Sequence, residues 1–141
     1  GLNLLQTADH KMHHTFIEAV SLGTLANLMV CLAVWMSYSG RSLMDKMFAM
    51  ILPVAMFVAC GFEHSIANMF LIPMAIVIRD FASPEFWQMA GASAAQFPSL
   101  SVSDFILNNL IPVTIGNIIG GGLLVGLTYW VIYLRGDEPV H

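Results

Sequence analysis

A carboxyl group and an imidazole stand side by side in an apolar stretch of the sequence, at Glu63 and His64. A charged residue at the centre of a membrane helix costs about 2.5 to 3.5 kcal/mol on insertion scales, and such residues usually belong to an ion or proton pathway. Burial disfavours the charged form of both groups, so Glu63 needs a neighbouring cation to stay ionised. The pair predicts a polar site inside the membrane, with Lys11 and the amide of Asn27 as candidate partners.

The same residues have structural interpretations, which the sequence leaves open. Glu63 and His64 would then cap a helix that begins near Ser65 and satisfy its free backbone groups. Asn68 follows His64 by four residues, so the two side chains share one helix face and could line one pathway. An Asn in a membrane helix equally often serves as a hydrogen-bonding contact between helices, and Asn117 is best interpreted in that way.

The composition indicates that lipid surrounds much of this chain. Its 141 residues are 57% hydrophobic and 10% charged, which is too much apolar surface for a small water-soluble globule to bury. The five Lys and Arg residues are spread along the chain, which argues against nucleic acid as a partner. No nucleophile-base pair or phosphate-binding loop stands out, so we expect neither an enzyme nor a cofactor.

Apolar runs of about 20 residues, the length needed to cross a bilayer, predict an all-α membrane protein with three spans. The first residues lack a starting Met and the features of a signal peptide, so we expect the chain to begin within a longer protein. The weak bias of Lys and Arg places the C-terminus in the cytoplasm. The predicted segments are 1–14, extramembrane or interfacial; 15–38, a transmembrane helix; 39–46, a cytoplasmic loop; 47–78, a broken transmembrane segment; 79–109, a periplasmic loop; 110–134, a transmembrane helix; and 135–141, a cytoplasmic tail.

The middle segment is predicted to be broken because of its length and its polar centre. A single helix over 47–78 would be about 48 Å long, which requires a steep tilt in a bilayer. Its centre reads GFEHSIAN, and backbone outside a helix survives at that depth only when packed in protein or facing water. Two half-helices, 47–60 and about 66–78, are therefore expected to meet near the bilayer centre.

Two other patterns are more plausibly structural than chemical. The cluster His10, His13 and His14 lacks a Cys or carboxylate that would complete a convincing metal site, so no metal is expected. The small-residue ladders Gly116 to Gly120 and Gly122 to Gly126 allow another helix to approach closely. They predict tight helix packing.

Several stretches together carry a resemblance: TADHKMHHTFIEAV, GFEHSIANM and the span with GNIIGG. They resemble the bacterial formate channels of the formate/nitrite transporter family, over nearly the whole chain. The resemblance implies six transmembrane segments in two inverted repeats with an aquaporin-like fold, of which this chain corresponds to segments four to six. It also implies a homopentamer with one pore per protomer, formed with the N-terminal half of the same protein.

The resemblance also assigns residue roles. His64 corresponds to the central pore histidine, beside an amide that faces the pore. A buried polar group biases the pore toward anions, and hydrophobic constrictions narrow it. The corresponding residues are Asn68 for the amide; Glu63, Lys11 and Asn27 for the polar group; and Phe57 and Val30 for the constrictions.

The expected function is passage of formate, or of related small monovalent anions such as nitrite, across the bacterial inner membrane. Proton transfer at His64 would cancel the charge of the anion in a dry constriction. Channel and proton-coupled transporter remain alternatives, since both need a constriction and a titratable group. Two other classes are a haem- or quinone-linked membrane anchor, which needs a second deep histidine, and a passive structural subunit with a dry polar centre.

Overall fold

The computed structural model describes residues 1–135, and these fold as a set of helices. Most of the predicted tail 135–141 lies outside the described residues. The elements in chain order are α1, Leu2–Met12; α2, Phe16–Ser37; α3, Leu43–Ala59; α4, Ser65–Phe81; α5, Pro84–Ala90; a 3-10 turn, Ala94–Gln96; and the long helix α6, Val102–Leu134.

Two of these helices, α2 and α6, are long and apolar enough to cross a membrane. The start of α2 is set by a capping box, in which Thr15 and Glu18 exchange side-chain to backbone hydrogen bonds. The helix coincides with the predicted span 15–38. Its depth in a bilayer remains a prediction.

The predicted break in the middle segment is confirmed. Helix α3 ends at Ala59 and α4 begins at Ser65, and Gly61 between them has a φ of 64°, which favours glycine. Helix α3 starts earlier than expected, at Leu43, because Ser42 and Asp45 form a second capping box. The all-α fold class with a broken middle segment is therefore correct.

A second bend, which the sequence did not suggest, follows α4. The axes of α4 and α5 differ by 110°. Ser83 caps α5 by accepting a hydrogen bond from the N–H of Phe86, and Pro84 occupies its first turn, where a missing N–H costs nothing.

Helix α6 corrects the predicted loop 79–109, because it begins at Val102 rather than at 110. The Ser101 side chain accepts a hydrogen bond from the N–H of Asp104 and starts the helix there. Three stretches of α6 have π-helical hydrogen bonding: Phe105–Leu110, Ile118–Leu127 and Trp130–Leu134. The first of them holds the polar residues that the loop assignment had set aside.

Helices α6 and α2, which lie next to the break, pack closely against each other. A Cβ added at Gly116 would lie 2.2 Å from the carbonyl oxygen of Val20, and one at Gly120 would lie 2.1 Å from that of Thr24. The first small-residue ladder therefore packs against α2, as predicted. A Cβ added at Gly122, in the second ladder, would meet only the side chain of Ile118 within 4 Å among the described residues, apart from the nearby backbone of its own helix.

A separate apolar core joins α1 to α4 and to the start of α6. Its centre includes Leu5, Ile72 and Leu100, each with no exposed surface. This packing holds the C-terminal end of α1 beside the break. Helices α1, α4 and α6 therefore lie close together around residues 60–64.

Candidate pore site at the helix break

Glu63 lies at the break and is 1% exposed. Its Oε1 accepts a hydrogen bond from Lys11 Nζ at 2.7 Å. Its Oε2 accepts one from Asn68 Nδ2 at 2.5 Å and a longer one from Asn109 Nδ2 at 3.4 Å. An ionised carboxylate accepts from all three of these donors.

The ammonium group of Lys11, in α1, balances the buried negative charge of Glu63. The expected pair with Lys11 is formed, and the Lys11 side chain is 15% exposed. His14 Nε2 lies 3.5 Å from Oε1, as a second cation when its ring is protonated. Removing a carboxylate from water costs several kcal/mol, and an ion pair offsets this only when its other hydrogen bonds are satisfied. The amides of Asn68 and Asn109 meet that requirement.

Asn117 of α6 caps the second half-helix. Its Oδ1 accepts hydrogen bonds from the Ser65 N–H and from the Ser65 hydroxyl, both at 2.9 Å. Its Nδ2 donates to the carbonyl oxygens of Glu63, at 3.1 Å, and of Gly23, at 2.8 Å. His64 occupies the N-cap position, but its side chain makes no capping hydrogen bond. The alternative in which Glu63 and His64 cap this helix is therefore wrong, because Asn117 does so.

His64 points away from this network. It is only half-buried, and its ring packs edge-on against Phe57, with 6.0 Å between the ring centroids. Two consecutive residues thus have opposite surroundings. Glu63 is enclosed and paired, whereas His64 remains accessible beside an aromatic ring of α3.

The other predicted residues are distributed around this centre. The hydrogen bonds of Asn68 go to Glu63 and to Asn109 Oδ1, the latter at 2.8 Å. Asn27 Nδ2 donates to the carbonyl oxygen of Asn117 at 2.7 Å, so among the described residues it supports the cap and not Glu63. Val30 lines a groove of about 400 Å³ between α2 and α6. The described residues lining the groove are Val30, Cys31, Val34, Trp35, Tyr38, Gly121, Val125, Gly126 and Tyr129.

Sequence reasoning missed Asn109 and His14 as parts of the site. Asn109 fell in the segment interpreted as a loop, although an Asn beside an apolar run resembles the pattern at Asn117. His14 was considered only for a metal site. Within residues 1–135, no group of three or more His, Cys, Asp or Glu side chains is arranged to hold a metal ion.

Of the three histidines in and just after α1, two pack against each other and the third lies apart. The rings of His10 and His14 pack edge to face, with centroids 5.3 Å apart. His13 Nδ1 lies 2.7 Å from the carbonyl oxygen of Asp9, on the exposed side of the helix. His13 is therefore outside the Glu63 network.

Comparison with known proteins identifies the family. A family model described as formate/nitrite transporter matches residues 1–131. This chain belongs to the formate/nitrite transporter family. The family assignment made from GFEHSIANM and GNIIGG is thereby confirmed.

Two relatives from Escherichia coli are closely similar to this chain. It is 80% identical over 138 residues to the formate channel FocA of Escherichia coli (strain K12), and this match covers 98% of the chain and 48% of the relative. It is 64% identical over 139 residues to the formate channel FocB of the same strain, covering 99% of the chain and 49% of the relative. The chain thus spans about half the length of the relatives it matches. These relatives are channels, in agreement with the expectation that the chain is not an enzyme.

A solved structure has the same fold. It is described as a pentameric formate channel with formate bound, and it matches with a TM-score of 0.89 and 59% sequence identity. The match covers 96% of this chain and 53% of that chain. The fold described above, including the helix break, thus lies within the part of the chain that matches a solved channel structure.

Proposed function

We propose that this chain forms one half of a formate pathway, completed by the N-terminal half of the same protein. The whole protein passes formate, and related small monovalent anions such as nitrite, across the bacterial inner membrane. It assembles as a homopentamer with a pore in each protomer. The similarity to channels named for formate, and to a formate-bound pentamer, supports this proposal.

The observation that carries the proposal is the contrast between Glu63 and His64 at the break. Glu63 is enclosed and held by Lys11, so its negative charge is balanced before any anion arrives. His64 remains accessible next to Phe57. A protonated or neutral imidazole can donate an N–H to a formate oxygen at this point.

The physical problem that the site solves is desolvation. An anion in a dry constriction has lost its hydration, and it is costly there unless it is paired or hydrogen-bonded. Phe57 and Val30 provide the apolar constrictions, and His64, which packs beside Phe57, provides the hydrogen-bond donor. Transfer of the His64 proton to formate would give neutral formic acid, for which the barrier is lower.

The remaining site residues are proposed to act behind the pathway. They include Asn68, which was expected to face the pore but is buried and bonded to Glu63 in this chain. Lys11 sets a positive field at the break, moderated by Glu63, and Asn68 holds the carboxylate of Glu63 in place. Asn27 supports the Asn117 cap, and through it the backbone of Glu63. These side chains influence the anion without needing to touch it.

The proposal is tested with the complete protein in liposomes, by stopped-flow measurement of formate and nitrite entry at two pH values. His64→Phe should abolish formate entry or remove its pH dependence, because the variant cannot donate or accept a proton. His13→Phe is the matched control, since His13 lies on the exposed side of α1, and it should behave as the parent.

Three results would contradict the proposal. Parent-like, pH-dependent entry in His64→Phe would remove His64 from the mechanism. No anion entry in the parent protein would favour a passive structural subunit. A Soret absorbance band in the purified protein would instead favour a haem-bearing anchor.

A further inference from the structure

Asn109 is the most thoroughly buried amide around the Glu63 carboxylate. It has no exposed surface. Its Nδ2 donates to the carbonyl oxygen of Lys11 at 3.1 Å and to Glu63 Oε2 at 3.4 Å, and its Oδ1 accepts from Asn68 Nδ2 at 2.8 Å. One side chain therefore contacts both members of the ion pair and the other amide that holds Glu63.

The local backbone of α6 is unusual at this residue. Asn109 lies in the π-helical stretch Phe105–Leu110. A π-helical turn inside an α-helix is rare, and such turns are frequent at functional sites, because they change the direction in which a side chain points. The neighbouring Asn108 is exposed, and within residues 1–135 its side chain donates to Asp104 of the same helix, at 3.3 Å.

We infer that Asn109 is a positioning residue of the formate pathway, which fixes Glu63 against Lys11 and thereby sets the affinity of the pore for the anion. This inference rests on the proposed function and adds a residue from α6 to it. Among the described residues, the side-chain hydrogen bonds of Asn109 go to Glu63, Asn68 and Lys11, and none goes to His64. It acts through Glu63.

The direction of its effect follows from the charges. The donor group of Asn109 compensates part of the negative charge on Glu63, which is adjacent to His64 in the chain. Without that donor, more of the negative charge is uncompensated where formate must bind. Formate should then bind more weakly, and the half-saturating concentration should rise.

The test is the concentration dependence of formate entry into liposomes that contain the complete protein. Asn109→Leu should raise the half-saturating formate concentration about tenfold, since hydrogen bonds to charged groups contribute more than neutral ones. The maximal rate should change less. Asn109→Ser provides a second variant if the Leu protein does not assemble, and Asn109→Gln, which keeps both amide groups, should recover part of the affinity.

Asn108→Leu is the matched control and should leave both parameters unchanged. If Asn109 served only to stabilise the fold, Asn109→Leu would reduce the amount of active protein. The maximal rate would then fall, and the half-saturating formate concentration would not change. That result would overturn the inference.

A double-mutant cycle distinguishes action through Glu63 from an independent effect. In a Glu63→Gln background, Asn109→Leu should add little to the change in half-saturation, whereas additive effects would contradict the inference. If Asn109→Leu is silent while His64→Phe still stops entry, the inference fails and the proposed function stands. If the parent shows no formate entry, both fail.

Discussion

Replacing Gly120 with Ala tests the contact that holds α6 against α2. The added Cβ would lie 2.1 Å from the carbonyl oxygen of Thr24. Ordinary contact requires a distance of about 3.4 Å, so the helices must separate by about 1.3 Å. The obstacle is backbone and not a flexible side chain, so the strain cannot be relieved by a rotamer change.

The magnitude follows from what that separation breaks. Overpacking alone costs about 1 to 3 kcal/mol. The hydrogen bonds from Asn27 to the Asn117 carbonyl, 2.7 Å, and from Asn117 to the Gly23 carbonyl, 2.8 Å, cross the same interface and would each lose about 1 kcal/mol. Ala is more favourable than Gly within a helix by about 1 kcal/mol, which offsets part of this loss. The free energy of unfolding should therefore fall by about 2 to 4 kcal/mol.

The assay is unfolding of the complete protein in detergent, followed by the helical circular dichroism signal, with size-exclusion chromatography to check assembly. Gly122→Ala is the control from the same helix, because its nearest contact is Ile118 at 3.8 Å. It should be neutral or slightly stabilising. Unaltered stability of Gly120→Ala would refute the close-packing argument.

Two further predictions concern charges. Lys11→Met removes the nearest cation from the buried carboxylate of Glu63 and should lower the free energy of unfolding by about 3 to 5 kcal/mol. The double variant that adds Glu63→Gln should recover part of this loss, and a single variant as stable as the parent would argue against a stabilising ion pair. Outside the predicted spans, the pKa of Asp45 lies below its ordinary value of 3.8, chiefly because the backbone N–H of Ser42 donates to its carboxylate. Since the folded-state pKa is the lower one, this stabilisation of the α3 start is present above the ordinary pKa and is lost as the pH falls through the depressed value. Amide hydrogen exchange at the start of α3, corrected for its intrinsic pH dependence, should show this loss, and Asp45→Asn should not.

Much of the fold could be predicted from apolar run length and from polar residues at an unusual place. The bounds of α2 and the break between α3 and α4 follow from local features, namely the Thr15 capping box and the GFEHSIAN sequence. The start of α6 also has a local cap, Ser101 with Asp104, but the residues around it are as polar as a loop, so the apolar run alone placed the start too late. Asn109, in the first part of this helix, bonds to Lys11 and Glu63, which lie far away in sequence.

The roles of the asparagines show the same limit. Asn117 and Asn109 are of one residue type, in one helix, yet one caps α4 and the other contacts the ion pair. Only the direction of each side chain in three dimensions separates these roles. For Asn117, residue type predicted a hydrogen-bonding contact between helices but not which groups it joins, and for Asn109 it predicted no contact.

The sequence separation of the ion pair has a consequence for synthesis of the protein. Lys11 leaves the ribosome before Glu63, and Asn109 follows later, so the ammonium is already present when the carboxylate reaches the translocon. A lone carboxylate at the centre of a helix would cost about 2.5 to 3.5 kcal/mol to insert. Pairing with Lys11 makes the two charges a neutral unit, and the amide of Asn109 can join this unit only after α6 has been synthesised.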